Sequence, residues 1–97
     1  NVSEDKIRAY VYYTETRSPL PAPSGEEKHL LGVHEGHAYY FYYEADRLTT
    51  LNREFLRTIQ TPAEGYLIYA DVNALSAGEM ERFHITFKKI PRDIARL

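Results

Sequence analysis

The chain of 97 residues contains no cysteine and no tryptophan. Without cysteine it can form neither disulfides nor thiolate metal sites. No apolar run approaches the ~20 residues that a membrane-spanning helix needs, and the core of a signal peptide is absent as well. The sequence therefore predicts a cytoplasmic protein with no membrane partner.

An excess of positive charge is also lacking. The net charge is −2 and the pI is about 6.1, whereas domains dedicated to gripping nucleic acid are usually basic. The length and the 43% hydrophobic content suit one globular domain over residues 1–97. The chain starts at Asn1 and its one methionine is Met80, so we expect it to be a piece of a longer protein.

Aromatic residues are abundant, with nine tyrosines and four phenylalanines. Five of them are consecutive, from Tyr39 to Tyr43. Adjacent strand residues point to opposite faces, so Tyr39, Phe41 and Tyr43 share one face and cannot form one stacking platform with the other two. Because tyrosine suits both cores and interfaces, we expect core packing together with a protein interface. The candidate interface residues are Tyr39, Tyr40, Tyr42 and Tyr43.

The amino-terminal part of the chain reads as an extended region. Residues 1–6 are polar and predict a frayed end. Residues 7–15 alternate in a way that predicts a strand, with Ile7 and Val11 on one face. Residues 16–28 contain three prolines and a glycine, which predicts a loop.

Periodicity organises the remainder of the chain. Residues 29–33 and 37–43 predict a hairpin around the Glu35-Gly36 turn. A 3.6-residue apolar period predicts a helix over 48–60, which Thr49 or Thr50 would cap.

A strand is predicted over 66–70 and another over 84–90, where Pro91 would end it. Between them, Ser76 and Glu79 form a capping-box pattern that starts a short helix. The order is β-β-β-α-β-α-β. We therefore predict an α/β fold with a small mixed sheet of about four or five strands and a parallel βαβαβ carboxyl-terminal portion.

Several segments resemble one family. The carboxyl end, Phe83 to Ile94, contains an ITFKxIPxDI pattern. It is similar to the carboxyl end of adenine-specific DNA methyltransferases of bacterial restriction–modification systems, especially type III modification subunits. Four further segments agree in order and spacing, and the similarity covers roughly residues 28–94. These segments are Leu30-Leu31-Gly32-Val33-His34, Ala38-Tyr39-Tyr40-Phe41, Leu48-Thr49-Thr50-Leu51-Asn52 and Tyr69-Ala70-Asp71.

The resemblance implies a parent that transfers a methyl group from S-adenosylmethionine to adenine. The family's F-x-G-x-G loop and its D/N-P-P-Y/W motif, which holds the extruded base, are both absent from this chain. We therefore expect a non-catalytic carboxyl-terminal domain without a cofactor of its own. Its expected partners are the rest of the methyltransferase chain, a second modification subunit or a restriction subunit, and DNA through the parent.

An accessory DNA-binding module is one alternative. Its phosphate contacts would come from Arg53 and Arg57 on one helix, and from Lys88, Lys89 and Arg92 at the end of the chain. Surrounding acidic residues weaken this interpretation.

A small metal-dependent hydrolase is the other alternative. Asp71 ends a predicted parallel strand, where α/β sheets often place ligands, and Glu79 or Glu81 could join it. His34 and His37 also suggest a metal site, but they bracket a tight turn and lack a clear third ligand.

Overall fold

The computed structural model describes residues 3–23 and 25–92. Three helices and six strands follow one another along the chain. They are α1 (Glu4–Thr16), β1 (Leu30–His34), β2 (His37–Phe41), β3 (Thr50–Leu51), α2 (Arg53–Thr58), β4 (Gly65–Ala70), β5 (Val72–Asn73), α3 (Ala77–Arg82) and β6 (Ile85–Lys89).

A four-stranded sheet in the order β1-β2-β4-β6 forms the centre of the fold. Strands β2, β4 and β6 are parallel, and β1 pairs antiparallel with β2. Helix α2 connects β2 to β4 and α3 connects β4 to β6, with the two-residue strands β3 and β5 forming a separate parallel pair. The predicted mixed α/β sheet with a parallel carboxyl-terminal portion is confirmed.

The first predicted strand is wrong, because residues 4–16 form helix α1. Ser3 caps this helix by accepting a hydrogen bond from the backbone N–H of Lys6, and two acidic residues occupy the first turn, where they favour the helix dipole. Residues 3–6 are therefore ordered as a cap and a first turn, which corrects the predicted frayed end. Residues 1–2 lie outside the described part of the chain.

The Pro-rich loop packs against the sheet. Leu20 joins the core beside α1. Gly32 of β1 faces Pro21 so closely that an added Cβ would stand 2.7 Å from Pro21 Cγ. Glycine at this position thus allows the loop to cross the strand.

The hairpin turn forms where the sequence predicts it. Glu35 and Gly36 both have positive φ, 50° and 83°, and His34 pairs directly with His37. A two-residue turn with two positive φ angles matches the right-handed twist of the strands it joins. Gly36 also faces the Glu64 carboxylate, so the Glu64 side chain would have to move to accommodate a Cβ at this position.

Helix α2 is shorter than predicted, and a different residue caps it. The Asn52 side chain accepts the hydrogen bond of Phe55 N–H at 2.9 Å. Thr49 and Thr50 do not cap the helix, because Thr50 belongs to β3 and Thr49 is bonded to Asp71. The predicted capping box of α3, between Ser76 and Glu79, is present.

Two hydrophobic cores lie on opposite faces of the sheet. One contains α1, with Ile7, Val11 and Tyr12 against the sheet. The other contains Phe55 of α2 and Leu75, which precedes α3. The predicted alternation of the aromatic run is confirmed: Tyr39, Phe41 and Tyr43 belong to the first core, and Ala38, Tyr40 and Tyr42 to the second.

Candidate functional site

A buried ion pair lies at the carboxyl end of β4. The Asp71 side chain is only 4% exposed. Arg92 approaches it with two parallel hydrogen bonds, from Nε to Oδ1 at 2.7 Å and from Nη2 to Oδ2 at 2.8 Å. The backbone N–H of Thr49 donates to Oδ2 at 2.8 Å. Both carboxylate oxygens therefore have at least one donor, which is the arrangement that stabilises a buried charge.

Arg92 also binds the segment that follows β2. Its Nη2 donates to the carbonyl oxygens of Glu44 and Arg47, each at 2.9 Å. Its guanidinium lies 4.7 Å from the centre of the Tyr43 ring. The cluster of Thr49, Asp71 and Arg92, here called the Asp71 cluster, therefore ties this segment to the end of the sheet.

The electrostatics of the Asp71 cluster follow from these contacts. The hydrogen bonds from Arg92 lower the pKa of Asp71 from 3.8 to about 2, against the opposing effect of burial. The same contacts raise the pKa of Arg92. Asp71 is therefore an ionised structural group at neutral pH, and its oxygens are already engaged by protein donors.

Over residues 3–23 and 25–92, the carboxyl edge of the sheet lacks the switch-point crevice in which α/β folds usually bind ligands. Such a crevice forms where the strand order reverses and successive connections pass over opposite faces. The described parallel strands run β2-β4-β6 in one direction, and α2 and α3 pack on the same face. A depression of about 470 Å³ remains at this edge, and Asp71 and Arg92 of the Asp71 cluster line it together with Leu48, Val72 and Lys89.

The five basic residues of the DNA-binding hypothesis do not form one surface. Arg53 and Arg57 lie on α2, where Arg53 Nε donates to Glu79 at 2.6 Å. Lys88 lies on the opposite face of the sheet and pairs with Glu15 of α1 at 2.7 Å. The neighbouring Lys89 is exposed on the α2 side, and Arg92 is engaged in the Asp71 cluster. The set is therefore distributed over three separate regions.

The four candidate interface tyrosines differ in exposure. Tyr40 and Tyr43 are buried, at 2% and 9% exposure. Tyr39 and Tyr42 are half-buried, and the Tyr42 ring is stacked on Phe55 with 4.3 Å between ring centres. Of these four tyrosines, Tyr39 and Tyr42 present part of their rings to the surface.

Glu27 joins the Pro-rich loop to the end of α2. It accepts hydrogen bonds from the Tyr40 hydroxyl at 2.8 Å, from Gln60 N–H at 2.9 Å and from the Thr61 hydroxyl. Burial alone would raise the pKa of Glu27, but these hydrogen bonds outweigh it and lower the pKa. A glutamate within a proline-rich loop carries no periodic signal, and sequence reasoning missed this role.

An acidic groove of about 650 Å³ runs between the start of β1 and α2. His29 lies in it, with Nε2 3.6 Å from the Glu44 carboxylate. Burial lowers the pKa of His29, while Glu44 acts in the opposite direction. The glutamates that line this groove, here called the acidic groove, are Glu26, Glu27, Glu44 and Glu54.

The other histidines are placed at turns. His34 and His37 flank the hairpin turn, and the His37 ring lies 3.3 Å from the Glu35 carbonyl oxygen. His84 precedes β6 with a positive φ of 56°. Over residues 3–23 and 25–92, no three histidine, aspartate or glutamate side chains converge as a metal site would need.

A second groove lies between α2 and α3. Arg53, Leu56 and Arg57 form one wall, and Glu79, Arg82 and Phe83 form the other, around about 360 Å³. A smaller depression of about 250 Å³ adjoins it through Leu56 and Phe83 and is lined further by Ile59, Tyr66 and Ile85. We call the combined surface the α2–α3 groove. Sequence reasoning singled out Arg53 and Arg57 but missed Arg82 and Phe83 as site residues, although it predicted the short helix at whose end they lie.

Comparison with known protein families found no matching family, and searches of curated proteins and of solved structures found no significant match. None of the helices in the described ranges is long and apolar enough to cross a membrane.

Proposed function

We propose that this chain is the non-catalytic carboxyl-terminal domain of an adenine-specific DNA methyltransferase from a bacterial, type III-like restriction–modification system. It acts as a cytoplasmic scaffold that assembles on the methylase core, and that core binds S-adenosylmethionine. Its partners are the rest of the methyltransferase chain and a second modification subunit or a restriction subunit. DNA is reached through the parent protein.

One observation carries the proposal. Thr49, Asp71 and Arg92 come from three separate segments on which the family resemblance depends. Their polar groups meet in one buried, hydrogen-bonded cluster. Members of such a network depend on one another, because a partly satisfied buried network is costly. The segments that carry the resemblance therefore belong to one folding unit, as expected for a domain that is present as a whole in the parent protein.

The chemistry available to this chain agrees with a scaffold. The F-x-G-x-G and D/N-P-P-Y/W motifs are absent from residues 1–97. Asp71 is bonded to Arg92 and Thr49, and Glu79 accepts hydrogen bonds from Arg53 and from Ser76 N–H. Two of the three carboxylates considered for a hydrolase, Asp71 and Glu79, are thus engaged in structural contacts.

The first test is to read the gene upstream of Asn1. The proposal predicts an F-x-G-x-G loop and a D-P-P-Y motif there. The second test uses three proteins: the parent, the parent without residues 1–97, and the 97-residue chain alone. Calorimetry with S-adenosylmethionine should show binding to the first two proteins and none to the chain alone.

Size-exclusion chromatography then measures association between the shortened parent and the 97-residue chain. We expect a one-to-one complex, and methylation activity that the added chain increases. If the two pieces do not associate in trans, and removing residues 1–97 from the parent changes neither its assembly nor its activity, the scaffold role is wrong. Binding of S-adenosylmethionine by the chain alone would contradict the non-catalytic assignment.

A further inference from the structure

Helices α2 and α3 sort their charges by side. Arg53 and Arg57 of α2 line the α2–α3 groove, whereas Glu54 lines the acidic groove. Helix α3 follows the same rule except at Glu79, which lines the α2–α3 groove: Arg82 lines this groove as well, and Glu81 lines a separate depression beside β4 and β6. A protein with a net charge of −2 therefore presents a cationic groove between two short helices.

The carboxylate that lines this groove is already neutralised. Glu79 accepts a hydrogen bond from Arg53 Nε at 2.6 Å and another from Ser76 N–H at 3.0 Å as part of the α3 capping box. Within the described residues, neither Arg57 nor Arg82 forms an ion pair with a carboxylate. These two guanidinium groups are the charges that a ligand of the groove would meet.

The floor between these charges is apolar. Phe83 is 44% exposed, and Leu56 and Ile59 are half-buried. Leu56 and Phe83 belong to both depressions, so the apolar surface is continuous along the groove. An exposed apolar surface with a polar rim is typical of a binding site.

We infer that the α2–α3 groove binds an amphipathic helix of a partner protein that carries carboxylates beside its apolar stripe. The apolar side chains would pack on Leu56, Ile59 and Phe83, in the way that helices occupy hydrophobic grooves. The carboxylates would pair with Arg57 and Arg82, which gives the groove its preference for an acidic partner. Phosphates of a nucleic acid could pair with the arginines but would leave the apolar floor uncovered, which favours a protein ligand. The inference rests on the groove and does not depend on the proposed function.

The test uses a fluorescein-labelled designed helix with a leucine stripe flanked by glutamates, about 18 residues long so that it can be helical. A reference peptide carries lysines in place of the glutamates. Fluorescence anisotropy with the full 97-residue chain should show saturable binding of the acidic peptide, and at least about tenfold weaker binding of the lysine peptide.

Two variants address the two parts of the groove. The double charge reversal Arg57→Glu/Arg82→Glu and the truncation Phe83→Ala should each lower the affinity for the acidic peptide by about tenfold or more. The chain offers a matched control on α1, on the other side of the sheet. Tyr13 is 51% exposed, with Arg17 5.7 Å from its ring centre, and Arg82 lies 5.5 Å from the centre of the Phe83 ring. Tyr13→Ala and Arg17→Glu should leave peptide binding within about twofold, since surface residues away from an interface contribute little to binding.

Circular dichroism of each variant separates lost binding from lost folding, and the charge reversal keeps Leu56, Ile59 and Phe83 of the groove in place. The inference is overturned if no saturable binding occurs below about 1 mM peptide, a limit that corresponds to very weak association. Equal binding of both peptides, or binding unaffected by the groove variants, overturns it as well. A duplex DNA that binds where the peptide does not, or self-association that Phe83→Ala abolishes, would assign the groove to a different ligand.

Discussion

Replacing Arg92 by methionine should destabilise the fold strongly. The change removes both donors of the bidentate contact, and within the described residues it leaves Asp71 Oδ1 without a hydrogen bond. Removing one member of a buried ion pair costs about 3–5 kcal/mol. The Arg92 side chain is 28% exposed, so water can reach the space it leaves, and the Thr49 N–H still donates a hydrogen bond to Asp71 Oδ2. Both effects offset part of the cost of leaving the Asp71 charge without its partner. We expect a loss near the lower limit, about 3 kcal/mol, which is a large share of the ~5–15 kcal/mol typical of a domain.

The difference in free energy of unfolding between wild type and Arg92→Met should become smaller at low pH. In the folded protein the pKa of Asp71 is lowered from 3.8 to about 2, which corresponds to about 2 kcal/mol of stability above pH ~4. Because the folded pKa lies below the unfolded one, this stability is lost as the pH falls from about 4 through about 2. Without Arg92 the pKa of Asp71 rises, so less stability remains to be lost. The difference between wild type and Arg92→Met should therefore narrow by up to about 2 kcal/mol between pH 7 and pH 2.

Urea unfolding of wild type, Arg92→Met, Asp71→Asn and the double variant measures the coupling directly. We expect a coupling free energy of about 2 kcal/mol, within the range for residues that share one network. Arg92→Lys should fall between wild type and Arg92→Met, since an ammonium cannot form the planar two-point contact. Arg47→Met is the control for an exposed arginine and should change stability by less than about 0.5 kcal/mol. A loss below ~0.5 kcal/mol for Arg92→Met, or a coupling near zero, would refute the reasoning.

Three further changes test separate features. Glu27→Gln should cost about 1–2 kcal/mol in urea unfolding because charge-assisted hydrogen bonds weaken, and the exposed Glu26→Gln is its control; equal effects would contradict the role of Glu27. Gly36→Ala should lower the free energy of unfolding by about 1–2 kcal/mol, and with it the melting temperature, since the φ of Gly36 is 83° and the Glu64 side chain would have to move away from an added Cβ. Gly78→Ala, in a helix where an added Cβ would make only an ordinary contact with Ser76 Oγ at 3.9 Å, should instead stabilise the fold by about 0.5 kcal/mol. Effects of the same sign for the two glycine variants would argue against the backbone explanation. Ser76→Ala should cost about 1 kcal/mol in thermal unfolding by removing the α3 cap, whereas Ser76→Gly should cost only a few tenths; an equal loss for both would show that the cap is not formed.

Most of the sheet could be predicted because its strands have strong, short-range signals. The hairpin follows from Glu35 and Gly36, which accept positive φ at a two-residue turn. Strand β4 follows from a continuous apolar run, and α3 from its capping box. Each of these features depends on residues that are close together in the sequence, so local patterns are enough to predict the parallel carboxyl-terminal portion.

The first helix was missed because its apolar residues fit two periods. Ile7, Val11 and Tyr12 are buried by α1 at helical spacing, but Ile7 and Val11 also share a face in a strand. Aromatic and β-branched residues shifted the prediction towards a strand. The competing signal was Ser3 followed by two acidic residues, a helix start that the prediction treated as a frayed end.

The start of α2 was misplaced for a tertiary reason. Thr49 is a suitable helix cap in isolation, but its N–H donates to Asp71, 22 positions along the chain. Asn52 takes the capping role three residues later. The Asp71 cluster itself has no local pattern, because it depends on the fork geometry of an arginine 21 positions from the aspartate.

The separation of Lys88 from Lys89, in contrast, could have been predicted. Side chains alternate along a strand, and the same rule correctly divided the tyrosine run between the two faces. Applied to β6, it places Lys88 towards Glu15 of α1 and Lys89 towards the α2 side. A surface confined to one face of the sheet can therefore contain only one of the two lysines, so a shared binding surface requires residues that lie on the same face. The α2–α3 groove, which gathers Arg57, Arg82 and Phe83 on one face, meets that condition.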